Sequence, residues 1–129
     1  MSDRKITPVI TPKAPGAIGP YSQGISAGDM VFVSGQTPLR PDGSIVNGSV
    51  AEQTEQCLKN VLEVLLAAGL TMDAVVKTTV YMTDLGKFAE MNEVYAKHFR
   101  APFPARATVQ VSALPKKVDV EIDAVAVRP

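Results

Sequence analysis

The strongest constraint in the sequence is one amphipathic helix that begins at Ser49 and ends near Gly69. Ser49 and Glu52 form a capping box, in which the serine oxygen accepts from one free amide and the glutamate reaches back to another. Gly69 supplies a common C-terminal stop. Apolar and small residues recur between them at helical spacing: Val50, Thr54, Cys57, Leu58, Val61, Leu65 and Ala68. A helix with one apolar stripe must pack it against other elements.

Strands and a second helix accompany that helix. Alternating or β-branched residues predict strands over 21–27, 30–36, 74–82, 105–111 and 118–127. The dipeptide Gly28-Asp29 suits a tight hairpin turn between the first two strands. Asp84 can cap a second helix that runs to about Arg100. Its apolar stripe consists of Leu85, Phe88, Met91, Tyr95 and Phe99.

The predicted order is β-β-α-β-α-β-β, a single α+β domain over residues 1–129 with one mixed sheet and both helices packed on one face. Residues 1–14 are predicted as an extended arm, because prolines disfavour helix and central strand there: Pro8, Pro12, Pro15 and Pro20. Two helices cover only one face of such a sheet. The other face favours a homo-oligomer, although antiparallel sheets can expose one face to water.

Composition excludes several functional classes. The balance of 13 basic and 13 acidic residues argues against nucleic acid as a partner, because such proteins normally cluster Lys and Arg. The longest apolar run, 64–70, is far shorter than the ~20 residues that span a bilayer. Residues 1–15 lack the apolar segment of a secretory signal. The single Cys57 can form neither an intramolecular disulfide nor a zinc cluster. We therefore expect a cytoplasmic protein.

Arg106 and Glu121 are the candidate catalytic residues. Arg106 shares a strand face with Thr108, and its guanidinium can form two parallel hydrogen bonds with a small carboxylate. Alternatively, Arg106 is a surface residue or one half of an ion pair. Glu121 belongs to an acidic strand face, which is either solvated or an enclosed site for a proton acceptor. If the last two strands pair directly, Glu121 and Arg106 lie within a couple of pleats of each other.

Other residues give weaker indications. Asn92 lies beside the apolar stripe of the second helix, where its amide must hold a backbone segment or touch a ligand. Tyr21 and Ser34 lie near glycines, where a hydroxyl can reach a ligand. The only histidine, His98, is expected to complement a helix dipole in solvent, and Cys57 to be a core residue. No Walker loop or GxGxxG motif follows a strand, so no nucleotide cofactor is predicted. A single histidine and a single cysteine leave no basis for a metal site.

Six blocks of the sequence resemble the RidA family (reactive intermediate deaminase A). They are Ala17–Gly24, Val33–Gln36, Lys77–Met82, Phe103–Val109, Leu114–Lys116 and Val120–Ala126. The resemblance continues in register over residues 14–128, which is more specific than any single motif. It implies a chorismate-mutase-like α+β fold and a homotrimer with three sites between subunits.

The resemblance also implies hydrolysis of 2-imino or 2-enamino acids to 2-keto acids and ammonia. Pyridoxal-phosphate-dependent serine and threonine dehydratases release those substrates. The family's carboxylate-binding arginine matches Arg106, and its water-positioning glutamate matches Glu121. Further residues of the family's pocket match Tyr21, Ser34, Gly35 and Asn92. Thr108 stands where many members carry cysteine, so a backbone contact would survive there and a role for the thiol would not.

This chemistry needs no metal or cofactor, because an imine carbon is already electrophilic. Arg106 can hold the carboxylate while Glu121 orients or deprotonates a water molecule. Three other functions stay open. A trimeric pocket that binds or senses small keto acids without turnover would use the same arginine. An endoribonuclease activity, attributed to some relatives, is disfavoured by the zero net charge and the single histidine. A chorismate mutase would rest on fold analogy alone.

Overall fold

The computed structural model describes residues 6–129 as one sheet and two α-helices. The strands are β1 Ile6–Val9, β2 Gly24–Ala27, β3 Met30–Gln36, β4 Val75–Met82, β5 Ala105–Gln110 and β6 Val120–Val127; the helices are α1 Val50–Ala67 and α2 Phe88–Tyr95. The order across the sheet is β1-β2-β3-β6-β4-β5. Strands β4 and β5 are parallel and the other neighbours antiparallel, so the predicted mixed α+β sheet is confirmed.

Helix α1 forms as its sequence predicts. The Ser49 hydroxyl accepts from the Glu52 amide at 3.2 Å, and Glu52 Oε1 accepts from the Ser49 amide at 3.0 Å. Gly69 follows the helix with a φ of 81°, a conformation that glycine adopts without strain. The apolar side of α1 is fully buried against the sheet through Leu58, Val61, Val64 and Leu65. None of the helices within residues 6–129 has the length and apolarity needed to cross a membrane.

The two faces of the sheet differ in what covers them. Alternate strand residues point into the core beneath the helices, and on β6 these are Val120, Ile122, Ala124 and Ala126. The residues between them point to the opposite, helix-free face, which we call the open face. It leaves large apolar side chains in solvent, including Phe32 at 42% and Val109 at 39% exposure. The prediction that one face of the sheet stays uncovered by helices is confirmed.

The N-terminal segment and the second helix differ from the sequence prediction. Residues 6–9, expected in an extended arm, form an edge strand paired antiparallel to β2. Pro8 fits there because an edge strand needs no amide donor on its outer side. The part of the predicted arm before residue 6 lies outside the described residues. Helix α2 is shorter than expected, because Asp84 Oδ1 accepts from the Gly86 amide and caps a separate 3₁₀ turn, Leu85–Lys87.

The last two strands do not pair with each other. Strand β4 lies between β5 and β6 and pairs with both, so the conditional expectation of a direct β5–β6 pairing is wrong. The physical reason is the α2 crossover. A strand, a helix and a second strand in succession favour parallel neighbours, which places β5 beside β4 on its outer edge.

Candidate functional site

Four of the candidate residues line one cleft of about 590 Å³: Tyr21, Ser34, Gly35 and Glu121. Strand β3 supplies Ser34 and Gly35, the adjacent strand β6 supplies Glu121, and the loop before β2 supplies Tyr21. The cleft is also lined by apolar residues, among them Ile18, Leu39 and Pro41, and by two further charged residues, Asp42 and Lys116. A carboxylate in a cleft of mixed polar and apolar lining is suited to chemistry on a small polar group of a ligand.

A β-bulge shapes the floor of this cleft. The register of β3 against β6 shifts between Val33 and Gln36, and Ser34 and Gly35 lie within the shift. The Ser34 hydroxyl donates to the Ser22 carbonyl, and its amide donates to the Gln23 carbonyl at 3.0 Å. A Cβ at Gly35 would lie only 2.9 Å from Glu121 Cδ. Gly35 is therefore the residue that lets the Glu121 side chain lie across β3.

A buried amide, Gln23, anchors the loop that forms one wall of the cleft. Its Nε2 donates to the Pro15 carbonyl at 2.8 Å and to the Thr11 carbonyl at 3.0 Å, and its Oε1 accepts from the Thr11 amide at 2.8 Å. These bonds fix the start of the segment that carries Ile18 and Tyr21. Sequence reasoning missed Gln23, because a lone glutamine before a short strand has no spacing that marks it.

The environment of Glu121 favours its protonated form. The carboxyl group is half-buried, and the loss of solvation raises its pKa, with a further contribution from the negative charge of Asp123. Asp123 is held in place on the open face, where it accepts from the Tyr81 hydroxyl at 3.0 Å and from the Thr79 amide at 3.1 Å. A carboxyl group whose pKa lies above its usual value is better suited to accept and return a proton near neutral pH.

Arg106 lies in a second cluster, together with Asn92, Phe88 and Tyr95 of α2. Its Nη1 donates to Asn92 Oδ1 at 2.8 Å, and its Cζ lies 4.7 Å from the centroid of the Tyr95 ring and 5.4 Å from that of Phe88. Within residues 6–129 no carboxylate oxygen lies within 4.0 Å of the Arg106 nitrogens, so the ion-pair alternative finds no partner there. The guanidinium keeps hydrogen-bond donors for an external anion.

Thr108 belongs to the Arg106 cluster by strand periodicity, two residues further along the same face of β5. Its Oγ1 is buried and has no hydrogen-bond partner among the residues that the structure describes. Buried hydroxyl groups are nearly always partnered, and an exception is a sign of a missing water, ligand or neighbouring chain. Thr108 therefore adds a buried hydroxyl without a partner to the strand face that carries Arg106.

The two clusters lie on opposite faces of the sheet. Arg106 pairs with Thr78 of β4, and Thr78 is buried beneath the helices, where its Oγ1 lies 2.7 Å from the Tyr95 hydroxyl. Glu121 pairs with Tyr81 of β4, whose side chain is on the open face. Paired residues point to the same side of a sheet. Within one chain, Arg106 and Glu121 therefore point away from each other, and the closeness expected from a direct pairing of the last two strands is not found.

The remaining reactive side chains are engaged in the fold. His98 Nε2 lies 2.8 Å from Glu55 Oε1 and links the segment after α2 to α1, so the expectation that it complements a helix dipole in solvent is wrong. Cys57 is buried as expected, and burial raises the pKa of its thiol well above the usual value. Among residues 6–129, no group of three or more His, Cys, Asp or Glu side chains is arranged to hold a metal ion.

The fold defines the class of the protein: it is a small α+β protein with one mixed six-stranded sheet and two helices on one face of that sheet. Candidate site residues lie on both faces of the sheet. The family model described as endoribonuclease L-PSP matches residues 11–128. The chain belongs to this family, and its relatives place it with the RidA-type members, as the sequence resemblance indicates.

Two relatives and one solved structure illustrate the similarity. The chain is 49% identical to human 2-iminobutanoate/2-iminopropanoate deaminase over 121 residues, which are 93% of this chain and 88% of the human protein. It is 52% identical to the chloroplastic Reactive Intermediate Deaminase A of Arabidopsis thaliana over 119 residues, 92% of this chain and 64% of the plant protein. The crystal structure of E. coli TdcF with bound serine superposes with a TM-score of 0.89 at 47% identity, covering 95% of this chain and 99% of that one.

Proposed function

We propose that this protein hydrolyses small 2-imino acids to 2-keto acids and ammonium, in sites formed between the subunits of a homotrimer. The observation that carries the proposal is the separation of Arg106 and Glu121 onto opposite faces of the sheet. Each cluster suits one part of a 2-imino acid, the arginine its carboxylate and the glutamate its reacting imine carbon. One relative at 49% identity is named a 2-iminobutanoate/2-iminopropanoate deaminase, and another at 52% is named a reactive intermediate deaminase.

The open face supplies the physical reason for assembly. It carries exposed apolar side chains, and the sheet has no helix to cover them: Met30, Phe32, Val109 and Val127. If the open face of one chain packs beside the β5 edge of the next, a Glu121 cleft meets a neighbour's Arg106. Such head-to-tail contacts use two different surfaces and close into a ring when the rotation between neighbours divides a full turn. A ring of three, the assembly that the RidA resemblance implies, contains three equivalent sites.

The hydrolysis is an addition of water followed by an elimination of ammonia. Glu121 accepts the proton in the first step and returns it in the second. The Glu121 carboxylate accepts a proton from water while the water oxygen bonds to the iminium carbon, and the C=N π electrons move to nitrogen. The products are protonated Glu121 and a carbinolamine whose amino group is neutral and whose carboxylate is still ionised. Glu121 then returns the proton to the nitrogen, which leaves as ammonia when the C=O bond forms. The remaining hydroxyl proton passes to the ammonia and gives ammonium. Arg106 stays bound to the substrate carboxylate throughout.

A coupled assay tests the proposal. Threonine dehydratase generates 2-iminobutyrate, and semicarbazide traps the imine that escapes hydrolysis. We expect added wild-type protein to increase the release of 2-ketobutyrate at the expense of the trapped adduct. The matched control is Arg106→Ala, which should restore the adduct to its level without protein. An unchanged partition with the wild-type protein would contradict the proposed activity.

The coupled assay, together with calorimetry, distinguishes a deaminase from a binding module without turnover. A binder would retain affinity for 2-ketobutyrate, measured by calorimetry, and leave the partition of the imine unchanged. An endoribonuclease remains disfavoured, because the chain carries no net charge and its one histidine is paired with Glu55. Added RNA should therefore be neither cleaved nor competitive with 2-ketobutyrate.

A further inference from the structure

We propose that Phe88 and Tyr95 are positioning residues for carboxylate recognition: their rings hold the Arg106 guanidinium so that its Nε–Nη2 edge faces the ligand. The inference rests on the proposed function, because it assigns to Arg106 a carboxylate ligand. It adds a structural reason why one arginine can bind that carboxylate in one orientation. Neither aromatic residue was singled out as a site residue by the sequence.

The geometry of α2 brings the three supporting residues onto one side of the helix. Phe88, Asn92 and Tyr95 are spaced at i, i+4 and i+7, which places them in one row along the helix. Arg106 Cζ lies 4.7 Å from the Tyr95 centroid and 5.4 Å from the Phe88 centroid. Both distances are within the range at which a ring face attracts a cation. The guanidinium therefore has two aromatic contacts from one helix.

Asn92 determines which edge of the guanidinium is left for a ligand. Its Oδ1 accepts from Arg106 Nη1 at 2.8 Å, so this nitrogen is already engaged on the helix side. A carboxylate binds arginine with two parallel hydrogen bonds, either to the two terminal nitrogens or to Nε and one terminal nitrogen. Nη1 keeps a second N–H, but the Nε–Nη2 edge is the one whose two nitrogens both have no hydrogen-bond partner among the described residues.

The two rings differ in how they are fixed. Tyr95 is almost fully buried, its hydroxyl lies 2.7 Å from Thr78 Oγ1, and its ring packs on that of Phe99 at a centroid distance of 4.6 Å. Its ring is therefore a rigid base beneath the guanidinium. Phe88 is 37% exposed and contacts the cation from the solvent side of the cluster. A substitution at Phe88 can thus remove one ring contact without opening the core.

The test replaces the Phe88 ring and measures carboxylate affinity. We expect Phe88→Leu to weaken 2-ketobutyrate binding about 2- to 30-fold, the range that corresponds to one cation–π contact. The matched variant Phe88→Tyr keeps a ring and should retain wild-type affinity. Tyr95→Phe keeps the ring and removes the hydroxyl bond to Thr78, so it should lower the melting temperature and leave the affinity unchanged. In the hydrolysis assay, the Phe88→Leu effect should appear in KM, while kcat and the pH profile of kcat stay as in the wild type.

A second arm separates positioning of Arg106 from direct contact with the ligand side chain. If Phe88 acts through Arg106, Phe88→Leu weakens pyruvate and 2-ketobutyrate by the same factor. A factor that grows with the length of the ligand side chain would overturn the inference. The inference would also be overturned if keto-acid binding were lost in Arg106→Ala but unchanged in Phe88→Leu. That result would leave the proposed function intact. Failure of the wild-type protein to bind either keto acid would overturn both.

Discussion

Gly35→Ala tests the contact between the β3 bulge and the Glu121 side chain. A Cβ at this position would lie 2.9 Å from Glu121 Cδ and 3.3 Å from its Cγ, whereas ordinary contacts begin near 3.4 Å. Glu121 Oε2 would be closer still, so we expect the carboxylate to move by about 1 Å to restore an ordinary contact. A displacement of that size at a reacting group costs roughly 10²-fold in rate.

The measurement is kcat for imine hydrolysis in the semicarbazide assay, with folding checked first by circular dichroism. Gly16→Ala is the matched control, because Gly16 lines the same cleft and a Cβ there would meet no atom within 4 Å. It should keep wild-type activity. In a Glu121→Gln background, Gly35→Ala should lower kcat little further, because both substitutions act through the Glu121 carboxylate. Wild-type kcat in a folded Gly35→Ala protein would refute the placement of Glu121 at the reacting centre.

Two further substitutions and one pH dependence test the remaining roles. Arg106→Lys should lose nearly as much activity as Arg106→Ala, because lysine cannot present two parallel donors; wild-type turnover by either variant in the imine assay would remove Arg106 from the site. Glu121→Gln should lower imine hydrolysis by about 10²-fold or more, yet bind 2-ketobutyrate as tightly as the wild type in calorimetry; retained catalysis would exclude proton transfer by Glu121. Burial raises the pKa of Glu121, so the wild-type rate should fall as pH decreases through that raised pKa, and Glu121→Gln should lack this acid limb. The folded protein also holds this proton more tightly than the unfolded chain does. The resulting contribution to the free energy of unfolding should be present below the usual pKa of a glutamate and lost as pH rises through the raised pKa of Glu121. A wild-type melting temperature with the same pH dependence as that of Glu121→Gln would contradict the shift.

Local sequence signals predicted the elements whose formation depends on nearby residues. The Ser49–Glu52 capping box and Gly69 are local devices, and α1 lies between them as expected. The uncovered sheet face follows from counting helices against strands. By contrast, β1 was missed because Pro8 and the prolines that follow the strand read as an interruption, and only its edge position makes Pro8 acceptable.

The arrangement of the candidate site was harder to predict, because it depends on strand order. The sequence identified Arg106 and Glu121, but their opposite faces depend on β4 lying between β5 and β6. The strand–helix–strand succession around α2 was a usable signal for that order, since it favours parallel neighbours. The contacts of Arg106 with Phe88 and Tyr95 had no comparable signal, because both residues looked like part of an apolar helix stripe.

Mixed assemblies of two inactive variants test most directly whether the site combines Arg106 of one chain with Glu121 of another. An Arg106→Ala chain still supplies Glu121, and a Glu121→Gln chain still supplies Arg106. In a ring of three that contains both kinds of chain, one of the three interfaces joins the two intact residues. After unfolding and refolding together in equal amounts, random mixing should therefore restore about one quarter of wild-type kcat per chain, although each variant alone stays inactive. Light scattering must show a mass of three chains of 13.7 kDa for the mixture. A mixed trimer with no activity above that of the separate variants would contradict the intersubunit site.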